Sequence, residues 1–217
     1  MNDMENVLNG KTVAILVANG FEESHMTSLH KALVTTGADV KIVSPEKGVV
    51  NSWHGNGWGH FFPANAQLEL SMSHHFDAVV IPGGSRHVSR LISDPQAARF
   101  MRGFMEDNKP VALVQDAARI LAEAGLLEGR SVVAPEDAVG TLTEKGVAIH
   151  DGELHVDDML VTGLSADEAL VANFADRIGS LGSRLKRRTV MLMRRLRLRG
   201  RFFMRWGDGA EYKFILC

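Results

Sequence analysis

The stretch KPVALVQDAARIL (109–121) puts two polar side chains at a break in an apolar run. VALV (111–114) reads as a buried strand and AARIL as the start of a helix, with no turn residue between them. Gln115 and Asp116 stand at that break. A primary amide does not ionise near neutral pH and is a poor nucleophile, although it can hold a carbonyl or a water. A carboxylate near the start of a helix meets unpaired amides and the positive end of the dipole. Arg119 is spaced to reach Asp116 on the same helix face. The chain also has nine histidines, of which His25, His54, His60 and His87 are assigned to loops on one edge. Three neutral imidazoles could hold zinc. No His/Glu spacing on a single element demands it, so neither a metal nor a cofactor is expected. The sole cysteine is Cys217, which excludes a disulfide framework, a Cys-based zinc site and an interior thiol nucleophile.

The elements that would position these residues follow from hydrophobic periodicity. KTVAILVA (11–18) is a continuous apolar run, as in a strand buried on both faces. Residues 24–36 have helical spacing, with Met26, Leu29 and Leu33 on one side and Gly37 as the stop. ADVKIVSP (38–45) and FDAVVIPGG (76–84) read as further strands. Ser93 with Gln96 has the form of a capping box opening a helix in SDPQAARFMRGFMEDN. A helix over Ala117–Ala124 closes at Gly125. SVVAP (131–135) and MLVTG (159–163) add strands, and Ser165 with Glu168 is expected to cap a last helix. Strands alternating with helices at these intervals predict an α/β fold, a doubly wound parallel sheet sandwiched by helices.

Functional residues of such sheets gather beyond the carboxyl ends of the strands. Here those ends are Asn19–His25, which includes Glu22, then Gly83–His87 and Gln115–Arg119. Gly83-Gly84 permits a tight turn and close backbone approach. Ser85 and Arg86 follow, and Arg86 either holds an anion or is a solvated loop charge. Residues 46–70 depart from the alternation and predict a small hairpin or loop at the same edge. Its Trp53 and Trp58 either pack that loop down or wall a ligand pocket. His74-His75 read as surface residues.

At 217 residues and 45% hydrophobic, the chain can bury one substantial core. No apolar run is long enough to cross a bilayer, and MNDMENVLNGK is too polar for a secretory signal. A reducing, cytoplasmic setting is expected. The net charge of −2 hides a segregation. From Arg184 onward there are eleven Lys/Arg against two acids (Asp208, Glu211), leaving 13 bases against 24 acids in the first 183 residues. We therefore divide the chain into a lead over 1–10, a domain over 11–183 and a basic tail over 184–217. The tail lacks a clean helical stripe and begins abruptly, as out-of-frame or unselected sequence would. A basic amphipathic contact with an anionic membrane or with a partner, and a phosphate-binding arm for nucleic acid, are the other readings.

Four stretches carry a resemblance: NGFEESHMTSLHKAL, SWHGNGWGHFFPANAQL, FDAVVIPGG and KPVALVQDAARILAEAGLLEGR. Together they resemble the PfpI / parkinsonism-associated deglycase superfamily, with its flavodoxin-like, class I glutamine amidotransferase-like fold, from about Lys11 to Leu181. The resemblance implies a homodimer. It also implies an elbow in which a cysteine on a strained turn is the nucleophile, a histidine follows it, and a glutamate from the first loop bonds the sulfur. Those three positions fall on Gln115, Asp116 and His25, all changed in chemical type. Thr162-Gly163-Leu164 stands where Thr-Ser-Arg often follows the penultimate strand, so an arginine is missing too. Gly83-Gly84 corresponds to the family's backbone donors for an oxyanion. The Asp116-Ala117 segment is also similar to the C-terminal domain of large-subunit catalases, which lacks the cysteine and is considered structural.

Covalent acyl transfer at this elbow is thus expected to be lost. What results is a non-catalytic module that binds a small molecule or a partner, or serves a structural role. An alternative is a cysteine-independent hydrolase or lyase in which His25 and Asp116 form an acid–base pair, Asp116 raising the pKa of His25 while Gln115 holds a carbonyl or water. Association through the basic tail is the third.

Overall fold

Strands without a polar face have to be covered on both sides. The computed structural model describes residues 6–180. Its order begins β1 (Thr12–Leu16), β2 (Phe21–Glu22), α1 (Glu23–Thr35), β3 (Asp39–Ser44), β4 (Val49–His54), β5 (Gly57–Pro63) and β6 (Ala66–Gln67). It continues with β7 (Ala78–Ile81), α2 (Ser85–Ile92), α3 (Pro95–Glu106), β8 (Val111–Val114), α4 (Ala118–Glu123) and β9 (Ser131–Val132). The last elements are α5 (Glu136–Glu144), β10 (Ala148–Ile149), β11 (Leu154–Asp157), β12 (Leu160–Gly163) and a helix α6 over 168–180.

The main sheet runs β11-β12-β8-β7-β1-β3-β6 and is parallel except for the β11–β12 pair. Successive residues of one strand serve two cores, as the pleat requires. Val13 and Ile15 of β1 join Met26, Leu29 and Leu33 of α1 and Phe174 and Ile178 of α6. Ala14 and Leu16 join Phe100 and Phe104 of α3 and Leu121 of α4. This is the doubly wound, helix-sandwiched α/β architecture predicted above. Residues 46–70 form the expected hairpin, with β4 and β5 antiparallel and Trp53 opposite Trp58, and β2 pairs with β4. The lead contributes Leu8, fully buried, whose amide donates to the Thr36 carbonyl at 2.8 Å. No helix among the described residues is long and apolar enough to cross a membrane. The basic tail over 184–217 lies outside them.

Several local expectations are corrected. The N-cap of α3 is Asp94, whose carboxylate accepts from the Gln96 amide at 2.8 Å, with Pro95 in the first turn. Proline is suited to the first helical position, which fixes the start one residue later than a Ser93 capping box would. Ser93 instead closes α2, its hydroxyl donating to the Ser89 carbonyl. Asp94→Ala is therefore expected to lower stability by about 1 kcal/mol and Ser93→Ala by much less, measured by urea unfolding. The cap of α6 is likewise Asp167, not Ser165 with Glu168. The Leu170 amide donates to its carboxylate at 2.9 Å, and the Ser165 hydroxyl bonds that same carboxylate. Those bonds, Leu170 first, hold Asp167 below the usual carboxylate range.

SVVAP contributes only the two-residue β9, paired with β10 in a separate sheet. Two helices lack the signals used above. α2 opens on Gly84 with no side-chain cap to mark its start, and α5 buries only Ala138 and Leu142.

Candidate functional site

The chain leaves β8 through a strained residue. Gln115 has φ +52°, while Val114 before it is extended and Ala118 after it is helical. A side chain in the left-handed region costs on the order of 1–2 kcal/mol, so the surrounding packing must hold it there. The turn continues as one 3-10 turn, Gln115–Ala117, into α4. Across from it, Gly83 is closely approached by two polar atoms. A Cβ on Gly83 would lie 2.8 Å from Gln115 Oε1 and 3.0 Å from His25 Nδ1. The amide of β8's elbow and the imidazole of α1's first turn thus converge over the loop after β7.

Asp116 goes elsewhere. It is buried, and its Oδ1 accepts from the Gly84 amide at 3.0 Å. The sequence-based pairings for this residue do not form. Ala117 is the N-cap of α4 and has no side-chain cap bond. Arg119 Nε and His25 Nδ1 are both buried without a hydrogen-bond partner, so neither is held by Asp116 through that atom. With Asp116 inside a 3-10 turn, its carboxylate reaches the glycine loop rather than α4's free amides. Burial pushes the His25 imidazole below its usual range, opposed by the charges of Glu22 and Asp116. The influence of Asp116 therefore has the anticipated sign, but desolvation outweighs it, and His25 is neutral at pH 7.

Over these loops lies a cleft of about 350 Å3. Its walls include Glu22, Trp53, Arg86, Gln115, Asp116 and Asp137, with Gly84 and Ser85 at the start of α2. Arg86 is exposed, as a solvated charge would be, but it lies on a helix rather than in a loop. It sits in the first turn of α2, and its guanidinium stacks 4.0 Å above the Trp53 ring. Trp58 packs edge-on against Trp53 at 5.5 Å between centroids and lies outside the lining, 58% exposed. Gly83 and His25 are also outside it. The structure thus brings Glu22, Gly84, Ser85, Arg86, Gln115 and Asp116 to one cleft and adds Trp53 and Asp137. Asp137 could not be found from the sequence, because the only signal for its position is α5, whose stripe is weak.

The four histidines assigned to loops all lie on regular elements: His25 on α1, His54 on β4, His60 on β5 and His87 on α2. His87 is fully buried, and its Nε2 donates to the Pro82 carbonyl at 2.7 Å, pinning the loop that carries Gly83 and Gly84. Burial lowers its pKa to about 4, so it stays neutral in that role. Among the described residues no group of three His, Cys, Asp or Glu could hold a metal ion.

A residue without a sequence signal anchors the cleft wall. Glu23 accepts from the Ser52 hydroxyl, the His60 amide at 2.9 Å and the His60 ring at 2.8 Å, tying α1 to the β4–β5 hairpin. These bonds, Ser52's first, lower its pKa to about 2. A carboxylate depressed on folding stabilises the protein above its unfolded value, 4.5, and that contribution is lost as the pH falls toward 2. Glu23→Gln is expected to cost about 2 kcal/mol at pH 7. The gap from wild type should narrow by pH 3 in unfolding experiments.

A doubly wound sheet with a positive-φ elbow after β8, facing a glycine loop after β7, defines a flavodoxin-like protein of the class I glutamine amidotransferase type. The DJ-1/PfpI family model matches residues 11–177, and the chain belongs to that family. It is 29% identical over 160 residues to general stress protein 18 of Bacillus subtilis, covering 73% of this chain and 91% of that one. To deglycase PfpI of Pyrococcus furiosus it is 30% identical over 145 residues, 67% of this chain and 84% of that one. A DJ-1 superfamily protein from Salmonella typhimurium, solved as a cysteine-to-alanine mutant, superposes with a TM-score of 0.66 at 28% identity, over 78% of this chain and 89% of that one. Catalase HPII of Pseudomonas aeruginosa is 30% identical over 126 residues, 58% of this chain and 17% of that one.

Proposed function

We propose that this DJ-1/PfpI family member is a cytoplasmic, homodimeric module that holds a small polar molecule in the cleft without covalent catalysis. The observation that carries this reading is Gln115 at the φ +52° elbow. The strained seat is kept, but the side chain in it cannot supply a thiolate. Two further features support it. His25 replaces a carboxylate that would hold a sulfur, and the Asp116 carboxylate is already committed to Gly84. Among the relatives are proteins named as a deglycase and as a general stress protein.

A second reading, a cysteine-independent hydrolase or lyase, is favoured by one observation. Burial disfavours the charged form of His25, its Nδ1 has no partner, and it faces the same point as Gln115 Oε1. A screen of methylglyoxal, related small carbonyls and small amides separates the two. Wild type, His25→Ala and Asp116→Asn are expected to give the same rate as buffer on every compound. Turnover by wild type that either substitution abolishes would establish the enzyme and end the non-catalytic proposal.

A further inference from the structure

Within the ligand-binding reading, on which this inference rests, we infer that Asp116 determines the specificity of the cleft. It seats its own carboxylate on the amide that would otherwise hold an anion, so the cleft takes uncharged polar or cationic molecules and rejects anions.

The Gly83-Gly84 loop leads directly into α2, and Gly84 is that helix's N-cap. An amide in this position attracts negative charge through its own dipole and that of the helix behind it. In this chain the Gly84 N–H is already taken, at 3.0 Å, by Asp116 Oδ1 from a residue 32 positions away. Asp116 is 7% exposed, so the bond is shielded from water. A charge-assisted bond of this kind is stronger than one between neutral groups. An incoming carboxylate or phosphate would have to displace that carboxylate while remaining beside it. It would also meet Glu22 and Asp137 on the same walls, a repulsive arrangement that discriminates by penalising the wrong ligand.

The single cation of the lining does not reverse this. Arg86 lies over the Trp53 face at 4.0 Å, on the opposite side of Ser85 in sequence from the Gly84 amide that Asp116 occupies. That contact also shows that the Trp53 face accepts a planar cation. The cleft therefore carries an internal carboxylate where an anion would bind and an internal guanidinium where a cation would bind. Only the second position lies among carboxylates that favour an exchange.

The test is an NMR titration of the full-length, 15N-labelled protein at constant ionic strength, using sodium formate, tetramethylammonium chloride and acetamide as probes. In wild type, formate is expected to leave the Gly84 amide unmoved. In Asp116→Ala, whose seat is vacated, formate should shift that amide saturably, with an affinity at least tenfold above wild type, about 1.4 kcal/mol. Asp116→Asn keeps the shape and removes the charge, and it should also bind formate more tightly than wild type. Should Asp116→Ala not fold, Asp116→Asn decides alone. Formate binding at Gly84 that is the same in wild type and in the folded variants, or absent from all of them, would overturn the inference. The ligand-binding reading is judged separately. It fails if neither acetamide nor tetramethylammonium moves the wild-type resonances of Trp53, Gln115 or Gly84.

Discussion

Gly84→Ala is expected to lose about 3–5 kcal/mol of stability and with it the cleft. Two costs combine. Gly84 has φ +131° and ψ 109°, a region essentially closed to residues with a Cβ, and strain of this kind costs on the order of 1–3 kcal/mol. The added carbon would also lie 2.8 Å from Glu22 N, 3.0 Å from Gly20 O and 3.2 Å from Phe21 Cα. All three are main-chain atoms, so no rotamer change relieves the contact, and overpacking adds a further 1–3 kcal/mol or so. The same displacement would break the bond from the Glu22 amide to the Gly83 carbonyl, 2.9 Å, and the Gly84–Asp116 bond. Gly48→Ala is the control. Gly48 also has positive φ, +83°, but a Cβ there meets nothing within 4 Å, so only the backbone penalty of roughly 1 kcal/mol should appear. Equal losses in the two variants, measured by urea unfolding, would show that the β1–β7 loop contact does not resist displacement.

The second large effect is a gain of chemistry. In a Cys217→Ser background, Gln115→Cys is expected to create a thiol that alkylates slowly at pH 7. The elbow and the start of α4 would favour the thiolate, but the neighbouring Asp116 carboxylate opposes it. Adding Asp116→His and His25→Glu moves the carboxylate to position 25, where in its protonated form it donates to the sulfur, and supplies the partner set that the family resemblance implies. An ordinary thiol, pKa about 8.5, is roughly 3% ionised at pH 7, and one lowered to about 6 is roughly 90% ionised. Allowing for the weaker nucleophilicity of the more acidic thiol, the triple variant should react with iodoacetamide about tenfold faster than Gln115→Cys. It should also turn over methylglyoxal, on which wild type is expected to give the buffer rate. A triple variant no faster than the single one would mean that the strained turn alone does not maintain the site's geometry, and that more than these three side chains has drifted.

Much of the scaffold was legible because its information is local. The runs TVAIL, VVI and VALV have no polar face, and a strand like that must lie between two layers. Met26, Leu29 and Leu33 fall on one side of a helix for the same periodic reason. The elbow was legible as an abrupt change from a continuous apolar run to helical spacing at Gln115, and the positive φ falls at that change. Helix starts were less secure. Ser93 and Asp94 are adjacent and both can cap, and only Pro95 at the first helical position separates them. α2 was missed because it opens on a glycine loop with no side-chain cap, and α5 because only two of its side chains are buried.

The amino-acid order by itself determined the layered α/β class, the strand ends at which chemistry would gather, and the absence of an ionisable nucleophile at the elbow, since all three depend on residue types and spacing along a few turns. Only the tertiary structure decided what those side chains touch. Asp116 bonds Gly84 rather than His25 or Arg119, Arg86 stacks on Trp53, and Glu23 holds a hairpin 29 and 37 residues away. Each of these is a choice among several polar partners within reach, settled by which loops the packed sheet brings together and which groups burial leaves without water.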